Sequence, residues 1–325
     1  MLRSRLTERF NLDHPVIAAP MGFNGGGKLA AAVSAAGGLG LIGGGYGDEP
    51  WLLEQIAAAG TERVGCGFIT WSLKKQPQLL EIALDRVPAA MFLSFGDPQP
   101  FAERIRQAGV PLICQIQTIA DARRAIEVGA DVVVAQGAEA GGHGQKRGTF
   151  ALVPEVADLI AGRAPETLLC AAGGIADGRG LAAALMLGAD GVVVGTRFWA
   201  SEEALVHPNL QAAVVAASGD ETLRSRVIDI LKGYDVWAER YDMRSLRSAA
   251  TDRWHGREAE LRAVVEEEAA AYADAAARGD AANVSPTVGE AIGLIHGIAP
   301  AATILRTMIS EAEDILRKAP AWIAA

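Results

Sequence analysis

Between residues 16 and 194 one short pattern recurs along the chain. A few apolar residues lead into a glycine-containing loop, then a helical stretch of about ten residues, and often a Gly-Ala or Gly-Val stop. The apolar runs read as strands at 16–19 (VIAA), 39–42 (LGLI), 64–68 (VGCGF), 90–94 (AMFLS), 111–115 (PLICQ), 131–135 (DVVVA), 168–172 (LLCAA) and 191–194 (GVVV). Helices are expected between them at roughly 28–36, 49–59, 76–86, 98–108, 119–128, 154–161 and 178–187. Runs this short and this apolar suit a parallel sheet buried on both faces. Two segments, VGADVVV (128–134) and LGADGVVV (187–194), nearly repeat each other. In each, a glycine ends the helix as its left-handed residue and an aspartate opens the strand. Eight strands alternating with helices predict a closed (β/α)8 barrel, the TIM-barrel architecture. A doubly wound open sheet would instead carry GxGxxG after its first strand, with an acidic residue about 20 positions on. Here the first strand runs into APMGFNGGG (19–27), which is glycine-rich at the wrong spacing.

After Arg197-Phe198-Trp199 the strand pattern stops. Residues 203–282 are helical and charged, with a long amphipathic run at 256–278 whose charges read as a solvated face. A barrel still needs a helix after its eighth strand. Segment 300–317 supplies the pattern, with Ile304, Leu305, Met308, Ile309 and Ile315 on one face and Pro300 at its start. The expected organisation is therefore a barrel of 1–203 and 296–325, with 204–295 inserted after strand eight as a mostly helical cap over the barrel mouth.

Composition narrows the function classes. A net charge of −9 with no clustered Lys and Arg argues against nucleic acid. No apolar run reaches membrane-spanning length, and no signal-peptide core follows the first residues, so a cytoplasmic location is expected. Cys66, Cys114 and Cys170 each sit inside a strand-like run, at spacings that fit neither a disulfide framework nor a metal site. They read as buried small hydrophobes, and no metal is expected.

The chemistry gathers at the carboxyl ends of the predicted strands, where parallel barrels place it. Strand six ends in QGAEAGGHG (136–144), a loop with glycines at 137, 141, 142 and 144 around one imidazole, His143. Strands seven and eight end in Gly173-Gly174 and Gly195-Thr196, the paired glycines of a phosphate cradle. Such a site suits a phosphosugar, a nucleotide or a flavin. For a flavin, Gln115 and Gln136 could meet the pyrimidine edge, and Ala19, Pro20, Met21 and Gly22 could line the ring. Of the other histidines, His14, His207 and His255 read as surface or capping residues, and His296 alone could border the mouth.

The set AAPM (18–21), AQGAEAGGH (135–143), AAGGIADGRG (171–180) and GTRF (195–198) resembles the nitronate monooxygenases, formerly called 2-nitropropane dioxygenases, over essentially the whole barrel. The resemblance implies noncovalent FMN, His143 as the active-site histidine, and contacts to the cofactor from Gln136, Gly141, Gly174, Gly195 and Thr196. Gly137, Gly142 and Gly173 belong to the same motifs. The segment 289–304 (GEAIGLIHGIAPAATI) looks like the family's return to the barrel. Many members carry an asparagine at the end of strand three, whereas this chain has Gly65-Cys66-Gly67-Phe68. The implied activity is oxidation of alkyl nitronates with O2 to a carbonyl compound and nitrite. An imidazole titrating near neutrality serves either to hold an anion or to deprotonate a nitroalkane. Alternatives are an FMN-dependent NAD(P)H:quinone or enoyl-acyl-carrier-protein reductase of the same superfamily and, more distantly, a phosphate-binding barrel without flavin. Expected partners are a small-molecule nitronate and O2, with a homodimer left open.

Overall fold

The computed structural model describes residues 2–322. Eleven strands occur among them: β1 Val16–Ala18, β2 Leu41–Gly43, β3 Gly65–Ile69, β4 Met91–Ser94, β5 Leu112–Ile116, β6 Val132–Gln136, β7 Gly142–Gly144, β8 Leu168–Ala172, β9 Gly191–Val194, β10 Thr222–Ser225 and β11 Asp242–Leu246. Eight of them form one parallel sheet in the order β1-β9-β8-β6-β5-β4-β3-β2. A parallel bridge between Ile17 and Leu39 brings β1 to the segment entering β2, so the sheet curls into a barrel. Every predicted barrel strand is present.

The strands read as apolar on both sides because both sides are buried. Along β6, Val132 and Val134 point into the barrel interior with Ile17, Phe92, Ile113, Cys170 and Val193. Val133 and Ala135 point outward to the helices. Each such aliphatic side chain contributes ~1.5–3 kcal/mol by leaving water. The floor of the barrel is closed by the helix Arg5–Phe10, capped by the Ser4 side chain, whose Leu6 and Phe10 complete the interior cluster. That floor explains the near-repeat at 128–134 and 187–194. Asp131 accepts from the Leu112 amide at 2.8 Å and Asp190 from the Leu169 amide at 2.9 Å. The same carboxylates pair with Arg9 and Arg5 on the floor helix, at 2.9 and 2.8 Å.

The helical ring is closed by Ala301–Lys318, which packs on the helices Gly178–Met186 and Gly27–Ala35. One boundary differs from expectation. The helix predicted from 154 begins at Thr149, because the Glu139 carboxylate accepts the Thr149 amide at 3.0 Å and anchors an earlier start.

Segment 204–295 carries the helices Pro208–Ala216, Val227–Leu231, Ala249–Trp254, Glu258–Ala263 and Val265–Ala277. The amphipathic run read at 256–278 breaks at Val264, where the backbone leaves helical geometry (φ −124°, ψ 19°). The segment also holds an element the sequence reading lacks. β10 and β11 form an antiparallel ribbon, and β11 pairs with β7 inside the loop after β6. Among the described residues, no helix is long and apolar enough to cross a membrane.

Candidate active site

A cavity of about 900 Å³ opens at the carboxyl ends of the barrel strands, between the barrel and the inserted segment. It brings together His143, Ala19, Pro20, Met21, Gly22, Gln115, Gln136, Gly141, Gly142, Gly173, Gly174, Gly195 and Thr196. Gly137 does not line it. A Cβ there would lie 1.9 Å from the Thr149 hydroxyl, so close packing explains that glycine.

His143 is held by the added strand pairing, with Met243 of β11 opposite it in register. Gly142, with φ of 75°, turns the chain into that short strand. Two arginines on the ribbon grip the loop leading there. Arg224 donates to the carbonyls of Ala138, Ala140 and Gly142, and Arg244 donates to Ala138. Burial, with Arg244 nearby, lowers the Arg224 pKa to about 10.

The inserted segment reaches the imidazole itself. Nε2 of His143 lies 2.9 Å from both carboxylate oxygens of Asp229, which sits on the helix Val227–Leu231. Both residues are enclosed, with side-chain exposures of 7% and 0%. An anionic Asp229 fixes Nε2 as the protonated nitrogen, leaving the Nδ1 lone pair without a protein partner among the described residues. Burial lowers the His143 pKa; Asp229 opposes that shift, while Arg224 and Arg226 add to it. The imidazole stacks on Trp237 at 3.4 Å and 11°, and Phe95 meets it edge-on. Trp237 in turn donates from Nε1 to the Tyr46 hydroxyl, and Tyr46 stacks on Tyr234 at 3.8 Å.

The glutamines form a ladder. Gln115 and Gln117 both donate to Gln136 Oε1, and Gln136 Nε2 donates to the His143 carbonyl at 3.2 Å. Gln136 therefore steadies the strand that carries His143, as well as lining the cavity.

The glycine cradle passes a test of fit for an anionic cofactor. Gly173 and Gly174 have φ of 98° and 75°, a backbone that L side chains rarely adopt. Gly195 has an ordinary φ, and a Cβ there would meet nothing nearer than Ala19 at 3.6 Å. Neither conformation nor protein packing demands glycine at 195, whereas a ligand pressed against the backbone would. The amides of Gly173, Gly174 and Gly195 also find no protein acceptor among the described residues. Thr196 Oγ1 accepts from the Gly289 amide at 2.9 Å and keeps its own proton for a ligand. At strand three, a Cβ on Gly67 would lie 2.4 Å from the Pro20 ring, so Pro20 occupies the space of any longer residue there.

The remaining histidines stay outside the cavity. His207 caps the helix Pro208–Ala216, His255 meets Ser225 Oγ, and His14 and His296 do not line the site. The three cysteines are buried and free; burial pushes Cys66 and Cys114 up to about 12 and raises Cys170 as well. Asp229, Trp237, Tyr46, Gln117 and Arg224 were not legible as site residues. For Asp229 and Trp237 the only signal was the richness of 226–247 in aromatic and charged residues, which a solvated helical face would also show; Tyr46, Gln117 and Arg224 lie outside that stretch.

A parallel barrel with paired glycines at its seventh and eighth strand ends, and a buried imidazole facing the same cavity, has the layout of an enzyme barrel that can take a phosphate-bearing ligand. The chain belongs to the nitronate monooxygenase family, whose model matches residues 3–61 and 69–311. It is 34% identical to a nitronate monooxygenase of Neurospora crassa, over 95% of this chain and 92% of that one. It is 38% identical to the nitronate monooxygenase npaC of Metarhizium robertsii, over 93% and 91% of the two chains. Among solved structures, FabK from Thermotoga maritima superposes with a TM-score of 0.86 at 31% identity, covering 99% of this chain and 100% of that one. A nitroalkane oxidase from Streptomyces ansochromogenes shares the fold, with a TM-score of 0.79 at 24% identity over 95% and 99% of the chains.

Proposed function

We propose that this chain binds FMN noncovalently and oxidises alkyl nitronates with O2 to a carbonyl compound and nitrite, with His143 as the catalytic base when a neutral nitroalkane is the substrate. The observation that carries the proposal is the pairing of His143 with Asp229 in the same cavity as the cradle of Gly173, Gly174, Gly195 and Thr196. The cradle amides would hold the phosphate, Gln115 and Gln136 would meet the edge of the ring, and Ala19, Pro20, Met21 and Gly22 would cover one face. FMN, when bound, supplies the electron acceptor and the reaction with O2.

The protein's own part is proton management and positioning. Nδ1 of His143 takes the α-proton of a nitroalkane, while the Nε2 proton stays on its hydrogen bond to Asp229. The imidazolium formed is then paired with a carboxylate that is already in place, so little reorganisation accompanies the transfer. A base so positioned contributes about 10²–10⁴ in rate. With a preformed nitronate the proton is already gone, and the imidazole serves to hold the anion. Trp237, Phe95 and Tyr46 close the apolar side of the site and keep water from the imidazole.

A second reading, an FMN-dependent reductase using NAD(P)H, is favoured by the likeness to FabK over the whole chain. Anaerobic mixing separates the two. The purified protein should absorb near ~450 nm, as oxidised flavin does, and release FMN on denaturation. Bleaching by propyl-2-nitronate, with nitrite formed once O2 is admitted, supports the monooxygenase. Bleaching by NAD(P)H alone supports the reductase. A colourless protein that FMN cannot reconstitute defeats both.

A further inference from the structure

Tyr46 lines the cavity with a hydroxyl that the chemistry above does not use. It follows β2 after Gly43-Gly44-Gly45, where Gly45, with φ of 59°, turns the chain out of the sheet. The Ser72 hydroxyl donates to the Tyr46 carbonyl at 2.9 Å, Tyr234 stacks on its ring at 3.8 Å and 7°, and Trp71 tilts against it at 6.0 Å. The phenol is clamped between two barrel loops and the inserted segment.

The direction of its hydrogen follows from its partner. Nε1 of Trp237 is a donor only, so the Tyr46 oxygen accepts from it, at 3.3 Å. The phenolic hydrogen points elsewhere, and no protein acceptor meets it among the described residues. Burial raises the Tyr46 pKa, and the charge of Asp229 adds to that, so the phenol keeps its proton and acts as a donor. The indole that orients it is the one whose face covers His143 at 3.4 Å. Base and donor therefore flank one ring in one cavity.

Removing the α-proton of a nitroalkane turns the C–H electron pair into a C=N bond and moves a nitrogen–oxygen π pair onto oxygen. His143 takes the proton, but the negative charge gathers on the oxygens, away from the imidazolium. We propose that Tyr46 is a further catalytic residue, donating its hydrogen bond to a nitro oxygen as that charge develops, with Trp237 as the positioning residue that aims it. The proposal rests on the nitronate reading of the site. The phenol gives up no proton; it is a donor fixed in place before the reaction, so little reorganisation accompanies the new charge. A neutral nitro oxygen is a poor acceptor and a nitronate oxygen a good one, so the bond strengthens towards the transition state.

The test uses 2-nitropropane, propyl-2-nitronate and 2-methylpropanoate, an unreactive anion whose planar carboxylate has the shape of the nitronate group. Tyr46→Phe keeps the stacked ring and removes the hydroxyl; Trp237→Phe keeps a ring on His143 and removes the N–H. On the nitroalkane, Tyr46→Phe should lower kcat by about ten- to hundredfold, the worth of a hydrogen bond to a charged group, with KM near wild type. On the nitronate, whose charge is already present, the loss should fall on KM and spare kcat. Affinity for 2-methylpropanoate, followed by calorimetry, should drop by a similar factor without turnover. Trp237→Phe should shift the same quantities less, and most of its effect should vanish in the Tyr46→Phe background, because it acts through that hydroxyl. Equal kcat losses on both substrate forms, or unchanged affinity for 2-methylpropanoate, would overturn the proposal. A Tyr46→Phe protein that loses its FMN would make the hydroxyl structural and overturn it too. Wild-type rates on both forms would remove Tyr46 and leave the nitronate reading standing. If wild type turns over neither form, the nitronate reading fails and this role falls with it.

Discussion

Replacing Asp229 with asparagine removes one charge and little else. The side chain is fully buried, and the asparagine carbonyl can still accept from Nε2 of His143, where two carboxylate oxygens now lie at 2.9 Å. What is lost is the attraction between carboxylate and imidazolium. In His143 that attraction opposes a larger depression by burial, so its removal lets the pKa fall further. A charge-assisted hydrogen bond is worth about 1.5–3 kcal/mol against about 0.5–1.5 for a neutral one. The difference, about 1–1.5 kcal/mol, corresponds to about one pKa unit. For a neutral nitroalkane, kcat/KM of Asp229→Asn should therefore fall by about tenfold, and by more if the imidazolium is fully formed in the transition state. The fall should be small for preformed nitronate, which needs no proton transfer. The pH profile supplies the sharper sign. Activity on the nitroalkane rises as His143 loses its proton, so the acidic limb of kcat/KM should move to lower pH in the variant. Steady-state assays of both substrate forms across pH, at equal FMN content, make the measurement. A limb that stays in place or moves up would refute the reasoning, and so would equal losses on both substrates. Asp229→Ala should be worse, because it leaves a buried donor unsatisfied at about 1–3 kcal/mol.

Gly195→Val should purify folded but depleted of FMN, since the added atoms meet open cavity, with the nearest protein atom to a Cβ at 3.6 Å; full flavin content in that variant would remove residue 195 from the cradle. Stability should also fall on the acid side. The folded His143 pKa is held below the ordinary value of about 6.5, so the unfolded chain binds the proton more tightly and stability is lost as pH drops through that value towards the folded one. His143→Gln should flatten this part of the Tm–pH curve, and an unchanged slope would show that other groups carry it.

The barrel was legible because its cause is local. Val132 and Val134 alternate with Val133 and Ala135 between two buried layers, so the run is apolar whichever way one reads it. The paired glycines were legible for a related reason, since they stand at strand ends in the sequence itself, and at Gly195 no protein neighbour demands a glycine. The partners of His143 were not legible, because their meaning is made by long-range pairing. Asp229 lies 86 residues further along the chain, on a helix of only five residues with no heptad or cap to mark it. The ribbon that brings it there reads TLRS and DMRSL, short polar strings in which the strand-forming cue is the pairing of one with the other and with Gly142–Gly144. Arg224 illustrates the point. In sequence it is one more charge in a charged region, and a solvated helical face is the reasonable reading. In the fold, it is half-buried against three carbonyls of the loop that carries His143. The inserted segment therefore helps build the candidate site: Asp229 meets the His143 imidazole, Trp237 stacks on it and Arg224 holds the loop that carries it.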